Sequence, residues 1–325
     1  MGKNSQIKTL VLSSIAILFL FFQNCAKFQT IDGNGNALSS LDSNAELPSN
    51  NNQNNQTPNP TPNPMNPPPT PSPLQPVNTS GWSNKPAHLK TISDTAHNNV
   101  KENGWYPYYG SDTVINDPTD PVSAPGVLQQ VFPKGLVGGD GGGGGSLVAM
   151  SKDYTVRYKE FFHGFYVKVD SQFEQHPVFT KISWLHTGLG NDVQGNALFM
   201  GLVGPQGGPY SVNANYQNAD TDNQHLNGGN GIGTVRFDPV QSSFTILPGQ
   251  WAKVEIHWKQ SSCNTCRDGL YKVWVNGQSA VNITTLNTNR IAVDAVSYIT
   301  VWGGTGAVKT RESYMWFAHS YLAGL

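Results

Sequence analysis

Charged side chains are scarce in this sequence. Only 13% of its 325 residues are Asp, Glu, Lys or Arg, and 20 basic groups nearly balance 21 acidic ones. No basic stripe is present to follow a phosphate backbone and no acidic tail to meet a cationic partner, so nucleic acid is not an expected partner. Helical periodicity is almost absent too, which leaves an all-β reading. Cysteine occurs only at Cys25, Cys263 and Cys266. The last two form Cys263-Asn264-Thr265-Cys266, a spacing used by redox sites and by half of a zinc site. No second CxxC or nearby histidine pair completes a zinc tetrahedron, and no βαβ pattern carries a thioredoxin-type site. In an oxidising compartment the expectation is a Cys263–Cys266 disulfide that pins the loop between "WAKVEIHWKQ" and "GLYKVWVNG". No metal or cofactor is called for.

What the chain does contain is unevenly spread. Residues 1–25 place Lys3 and Lys8 ahead of an apolar run from Leu10 to Phe22 that ends at Cys25. That run is short for a bilayer span and has the layout of a secretory signal. A cysteine directly after it resembles the lipobox of bacterial lipoproteins, although Phe22-Gln23-Asn24 replaces the usual small residues. The resemblance implies a lipidated Cys25 and a membrane anchor. Ala26 in place of aspartate implies the outer membrane, and hence a cell-envelope location. Residues 26–80 are dominated by Asn, Pro, Ser and Thr, as in "NNNQNNQTPNPTPNPMNPPPTPSP". Such a segment buries too little apolar surface to offset its ordering entropy, so a disordered, extended stalk is expected. With polyproline character it reaches on the order of 100 Å.

The head, residues 81–325, is rich in glycine and tryptophan and offers about eleven strand candidates separated by Gly, Asn and Pro. Among them are "YTVRYKEFF", "GFYVKVD", "VFTKISWLH", "WAKVEIHW", "LYKVWVNG" and "YMWFAHSYLA". The expected fold is an all-β sandwich or jelly roll over residues 147–325, with 81–146 as its irregular N-terminal part. The run "GGDGGGGGS" at 138–146 is not followed by Gly-Lys-Ser/Thr and opens no helix, so it reads as a loop and not as a phosphate cradle. In "DGLYKVWVNGQ", Tyr271, Val273 and Val275 share one face, and Leu270, Lys272 and Trp274 the other. Asp268-Gly269 and Asn276-Gly277 read as turns that bracket this strand.

The segments "LPGQWAKVEIHWKQ", "RDGLYKVWVNGQ", "NITTLN", "ITVWGGTG" and "YMWFAHSYLAG" resemble the second half of the concanavalin A-like lectin/glucanase superfamily. More narrowly they resemble its polysaccharide-lyase-like members of the glucuronan and alginate lyase type. "GFYVKVDSQFEQHPVFTKISWL" fits their first half. The resemblance implies a concanavalin A-like jelly roll with a sugar-binding groove on a concave sheet. The carboxylate triplet E-x-D-x-x-E of the laminarinase-like hydrolases is missing, which argues against retaining glycosidase chemistry. Missing as well are the R-[ST]-E-L, Q-[IV]-H and Y-x-K-x-G-x-Y-x-Q motifs of the best-known alginate lyase family. "NADTDNQ" at 218–224 lacks calcium-loop spacing and reads as a polar turn.

A tryptophan that alternates out of the core gives sugar rings an apolar platform. Trp274 with Lys272 is therefore expected to line a polysaccharide site. On the preceding strand Lys253, Glu255 and His257 face away from Val254, Ile256 and Trp258, so Glu255 and His257 join that surface, with His176 as a further candidate. β-Elimination from a uronic acid needs a base, a donor to the leaving oxygen and a group that neutralises the carboxylate. The resemblance offers Lys181, Tyr166 and Arg157 for these roles, and face alternation offers His257. Two functions follow: a polysaccharide-binding lipoprotein head, or a lyase acting on uronic-acid-containing glycans. A third reading is a structural envelope protein whose groove is filled by the 81–146 segment.

Overall fold

The computed structural model describes residues 81–97, 105–109, 113–122, 126–138, 145–149, 156–187, 196–217, 234–237, 245–288, 292–299, 301–303 and 306–325. The expected signal, Cys25, the stalk, most of the glycine run and the 218–224 turn lie outside the described residues. The described strands are β1 (Lys90–Thr95), β2 (Trp105–Tyr109), β3 (Thr113–Asn116), β4 (Gly126–Phe132), β5 (Gly145–Ala149), β6 (Glu160–Val169), β7 (Thr180–Thr187), β8 (Asn196–Val203) and β9 (Tyr210–Gln217). They continue as β10 (Thr234–Phe237), β11 (Thr245–Ile246), β12 (Trp251–Lys259), β13 (Gly269–Val275), β14 (Gln278–Leu286), β15 (Ala295–Ile299), β16 (Val301–Trp302) and β17 (Ser313–Gly324).

Two antiparallel sheets form. The eight-stranded sheet runs β14-β13-β12-β6-β17-β4-β3, with β1 added beside β17, and the nine-stranded sheet runs β10-β9-β8-β7-β15-β5-β2, with β11 on β9 and β16 on β7. Between them lies one core to which β6 gives Phe161, Phe165 and Val167, β12 gives Val254, Ile256 and Trp258, β13 gives Tyr271, Val273 and Val275, and the facing sheet gives Ile182, Leu185, Leu198, Met200, Val212 and Tyr298. Period-two alternation thus sorts β12 and β13 as the sequence implied, while register shifts interrupt it in β7 and β17. Leu270, Lys272 and Trp274 are half-buried on the outer side of β13 while its other residues are buried.

Several local readings change. "YTVRYKEFF" and "GFYVKVD" are not two strands: Gly164 sits inside a single ten-residue strand, because the closest approach there comes from a side chain above the sheet and not from a turn. The Asn276-Gly277 turn is as read, with φ of 51° and 82° at its two residues, the pair of positive values that a type I′ hairpin requires. Asp268-Gly269 is not a turn. Gly269 opens β13, where a Cβ would stand 2.7 Å from the Leu286 carbonyl oxygen, and the Asp268 carboxylate accepts the Ser262 N–H at 2.9 Å. The loop between β12 and β13 is closed by the Cys263–Cys266 disulfide. The 81–146 segment is less irregular than expected, since it supplies strands to both sheets.

Candidate functional site

The outer face of the eight-stranded sheet carries the residues that alternation selects. Pairing of β12 with β13 sets Glu255 opposite Trp274 and His257 opposite Lys272, and pairing with β6 sets Lys253, Glu255 and His257 opposite Tyr166, Gly164 and Phe162. This brings Trp274, Lys272, Glu255, His257 and Tyr166 onto one surface, but that surface is not open. Gly81 to Leu89 crosses it as a strap. The Trp82 ring lies over Gly164, where any Cβ would come within 2.4 Å of it, and between Tyr166, Tyr321 and His319, with ring centroids 5.6, 5.6 and 6.0 Å away. Asn84 donates its backbone N–H to Glu255 Oε1 at 3.1 Å and its side-chain amide to Oε2 at 2.8 Å. The Lys253 ammonium donates to the Gly81 carbonyl, lies 5.1 Å from the Trp82 ring centroid and 3.8 Å from Glu255. Glu255 is consequently 0% exposed.

Electrostatics on this face follow from that closure. Burial holds Lys253 below the ordinary lysine range against the pull of Glu255. Burial likewise pushes Tyr166 up to about 12, helped by Glu255 and Asp120, so its phenol is neutral at physiological pH. His257 shares Glu160 with His88, at 2.8 and 3.2 Å. Burial lowers His257 more than Glu160 raises it. At Glu160 burial acts upward, yet the hydrogen bonds from His257 and His88 hold the carboxyl below its usual value. Farther along, the Lys168 ammonium is caged by the Trp251 and Trp316 rings, 4.9 and 5.0 Å away, and pairs with Asp117.

The other candidates fall elsewhere. Lys181 is on β7 and points out of the opposite sheet, so it shares no site with His257 or Tyr166. Arg157 precedes β6 and approaches the buried Asp294, 4.0 Å away. His176 lies in the β6–β7 connection, its Nδ1 accepting the Val178 N–H at 3.0 Å and its ring edge-on to Trp302 at 4.8 Å. The expected lyase set is therefore split between the two sheets.

Around Lys181 the outer face of the nine-stranded sheet gathers a different constellation. Its ammonium lies 4.5 Å from the Phe199 ring centroid and 4.8 Å from that of Trp184, beside a hydrophobic cluster of Phe179, Trp184, Phe199 and Val301 that is separate from the main core. Across the sheet Lys181 pairs with Gly201 and Gly201 with Asn213, while Trp184 pairs with Phe199 and Phe199 with Asn215. Asn215 donates to Asn213 Oδ1 at 3.0 Å. On the other flank His186 Nε2 is 2.7 Å from Ser297 Oγ, and burial holds this imidazole at about 4, hence neutral. A lysine, a neutral histidine, a serine and two amides are gathered on this face among rings, all of them buried, with Lys181 2% exposed; their group types match those that bind carboxylate, hydroxyl and C–H faces. Sequence reading found Lys181 and missed His186, Ser297, Asn213 and Asn215. For His186 the register shift between Lys181 and Ser183 is the reason: simple alternation from Lys181 puts Trp184 and His186 in the core, and the bulge returns them to its own face.

A family profile described as polysaccharide lyase matches residues 90–300. Among solved structures, the alginate lyase vAL-1 from Chlorella virus is similar at a TM-score of 0.56 and 17% identity, over 73% of this chain and 100% of that one. A mutant of the alginate lyase Aly36B in complex with an alginate trisaccharide is similar at a TM-score of 0.51 and 18% identity, over 73% and 97% of the two chains. A comparison with curated proteins found no match. The head has the concanavalin A-like jelly-roll sandwich that the sequence resemblance implied. With the profile covering more than half of its length, the chain belongs to the polysaccharide lyase family.

Proposed function

We propose that the head binds a uronic-acid-containing polysaccharide along the outer face of the nine-stranded sheet and cleaves it by β-elimination. The observation that carries this reading is the Lys181 ammonium set among three aromatic rings in a chain of the polysaccharide lyase family. Lys181 meets the uronate carboxylate, lowering the cost of carbanion character at C5. Asn213 and Asn215 supply amide donors to the same charge or to neighbouring hydroxyls. His186, kept neutral by burial and bonded to Ser297, stands five residues along β7 from Lys181, about 15 Å by strand rise, and so serves a hydroxyl of the neighbouring sugar unit. Trp184 and Phe199 give the sugar ring its apolar floor. The eight-stranded face supports this less well, because Glu255 and Lys253 are already engaged by the strap. Attachment of the head to the cell envelope through a lipidated Cys25 is part of the same proposal and supports a role at an extracellular glycan.

The experiment is incubation of the protein with polymannuronate, polyguluronate and polyglucuronate while following ultraviolet absorbance from newly formed unsaturated ends. A rise is expected with at least one polymer. Lys181→Ala should lower that rate by about 10²-fold or more, the usual effect of removing one charge-stabilising group. Lys259→Ala, an exposed lysine on the other sheet, should leave it unchanged. Retention of the polymers without any absorbance rise would replace cleavage by binding alone, and equal effects of the two lysine variants would remove the site from this face.

A further inference from the structure

We propose that the eight-stranded sheet carries a second saccharide site, latent beneath the strap, that takes an uncharged, hydroxyl-rich glycan. The strap is built like a ligand and not like a strand. Among the described residues its backbone–backbone bonds are only local, Lys85 N–H to the Trp82 carbonyl and Leu89 N–H to the Pro86 carbonyl, and ladder pairing begins only at Lys90. Gly81 to Asn84 is held to the sheet by the Trp82 ring, set over Gly164 and against Tyr166, Tyr321 and His319, by two N–H donors on the two oxygens of Glu255, and by a carbonyl on Lys253.

Sealing a sheet face does not call for those groups. A buried ion pair generally stabilises no better than apolar residues of the same volume, yet Lys253 is 1% and Glu255 0% exposed beneath the strap. What the sheet recognises is a flat apolar face, a pair of adjacent donors and one acceptor. A pyranose offers the same set in its C–H face, vicinal hydroxyls and ring or glycosidic oxygen. The walls are aromatic, Tyr166 and Tyr321 beside Gly164 and Trp274 opposite Glu255, as sugar stacking requires. The carboxylates of Glu255 and Glu160 on the floor favour hydroxyl donors and disfavour uronates, which separates this ligand class from the one assigned to the nine-stranded face. The family match begins at Lys90, one residue past the strap, and does not include it.

An occluded site binds with an affinity reduced by the fraction of molecules in which it is open. Removing the strap's contacts with the double substitution Trp82→Ala and Asn84→Ala in the full chain should therefore raise affinity for an uncharged hexasaccharide, with cellohexaose, xylohexaose and mannohexaose as the probes in titration calorimetry. A gain of tenfold or more over the unmodified chain with at least one probe is expected, and Glu255→Gln added to the pair should abolish it. Lys181→Ala should not touch it, which separates this outcome from failure of the lyase reading. No gain with any of the three overturns the proposal. Should the double variant not fold, hydrogen exchange at the Asn84 amide of the unmodified chain decides: millimolar hexasaccharide must accelerate it, and unchanged or slower exchange overturns the proposal equally.

Discussion

Acid should unfold this protein well before its carboxylates titrate. Three of the buried histidines are held far below the ordinary value: His163 Nε2 lies 3.1 Å from the Tyr298 hydroxyl between the sheets, His97 meets the Tyr298 ring edge-on at 5.7 Å, and His186 bonds Ser297. Burial lowers them to about 3, 3 and 4 from 6.5. Because the folded values are depressed, the unfolded chain binds these protons first, and stability falls as pH drops below 6.5 until the folded values are reached. At pH 5 each histidine costs about 2 kcal/mol, from 1.36 kcal/mol per pH unit below 6.5, or about 6 kcal/mol for the three, a large share of the roughly 5–15 kcal/mol that holds a domain together. Asp117, Glu160 and Glu174 are also held below their ordinary values by their partners. Their contribution, though, is lost only near and below the unfolded values of 3.8 to 4.5, so the window from pH 6.5 to 5 isolates the histidines. Urea unfolding followed by tryptophan fluorescence at pH 7.5, 6.5, 5.7 and 5.0 measures the slope. A free energy that changes by less than about 1 kcal/mol across that window would refute the claim that these imidazoles are buried and neutral.

Three substitutions test the packing. Gly164→Ala places a methyl within 2.4 Å of the Trp82 ring, so it should destabilise by about 1–3 kcal/mol and shift tryptophan emission to the red as Trp82 lifts, in an otherwise folded protein. Lys168→Met keeps most of the stem volume but removes the charge between Trp251 and Trp316 and leaves Asp117 without its partner. It should cost about 2 kcal/mol in urea unfolding and raise the Asp117 pKa seen by carboxyl NMR. Asn276→Ala puts a Cβ-strained residue at φ 51° and removes the Oδ1 that accepts the Lys253 N–H at 2.8 Å, for a loss of about 2 kcal/mol with no change in the disulfide loop.

How much of this was legible in the sequence depends on the range of the interaction involved. The alternation of Tyr271, Val273 and Val275 against Lys272 and Trp274, the turn at Asn276-Gly277, and the pairing of His257 near Lys272 are all local, set by side-chain period and turn chemistry, and each is present in the structure. The disulfide was likewise a matter of two cysteines three residues apart. The strap was harder. Trp82 looks like an isolated tryptophan after a proline-rich stretch, and only its meeting with Gly164, 82 positions later, gives either residue a purpose. Gly164 in turn reads as a strand break until the ring above it is known.

The split of the lyase candidates has a deeper cause. Alternation tells whether a side chain points into a core or away from it, but a sandwich has two outer faces, and sequence period is the same on both. Which face a residue occupies is decided by strand pairing over long separations: β12 joins β6 and β13, while β7 joins β8, β15 and β16. Lys181 and His257 both satisfy the local rule for an outward cation, and nothing within ten residues of either distinguishes them. Their neighbours across the sheet do. His257 finds a carboxylate shared with His88 of the covering segment, whereas Lys181 finds rings, with amides and a neutral imidazole on flanking positions. Rings beside a lysine suit an anionic ligand that also stacks, and a histidine locked to an internal carboxylate does not. The assignment of chemistry to the nine-stranded face thus rests on what each sheet places next to its cation.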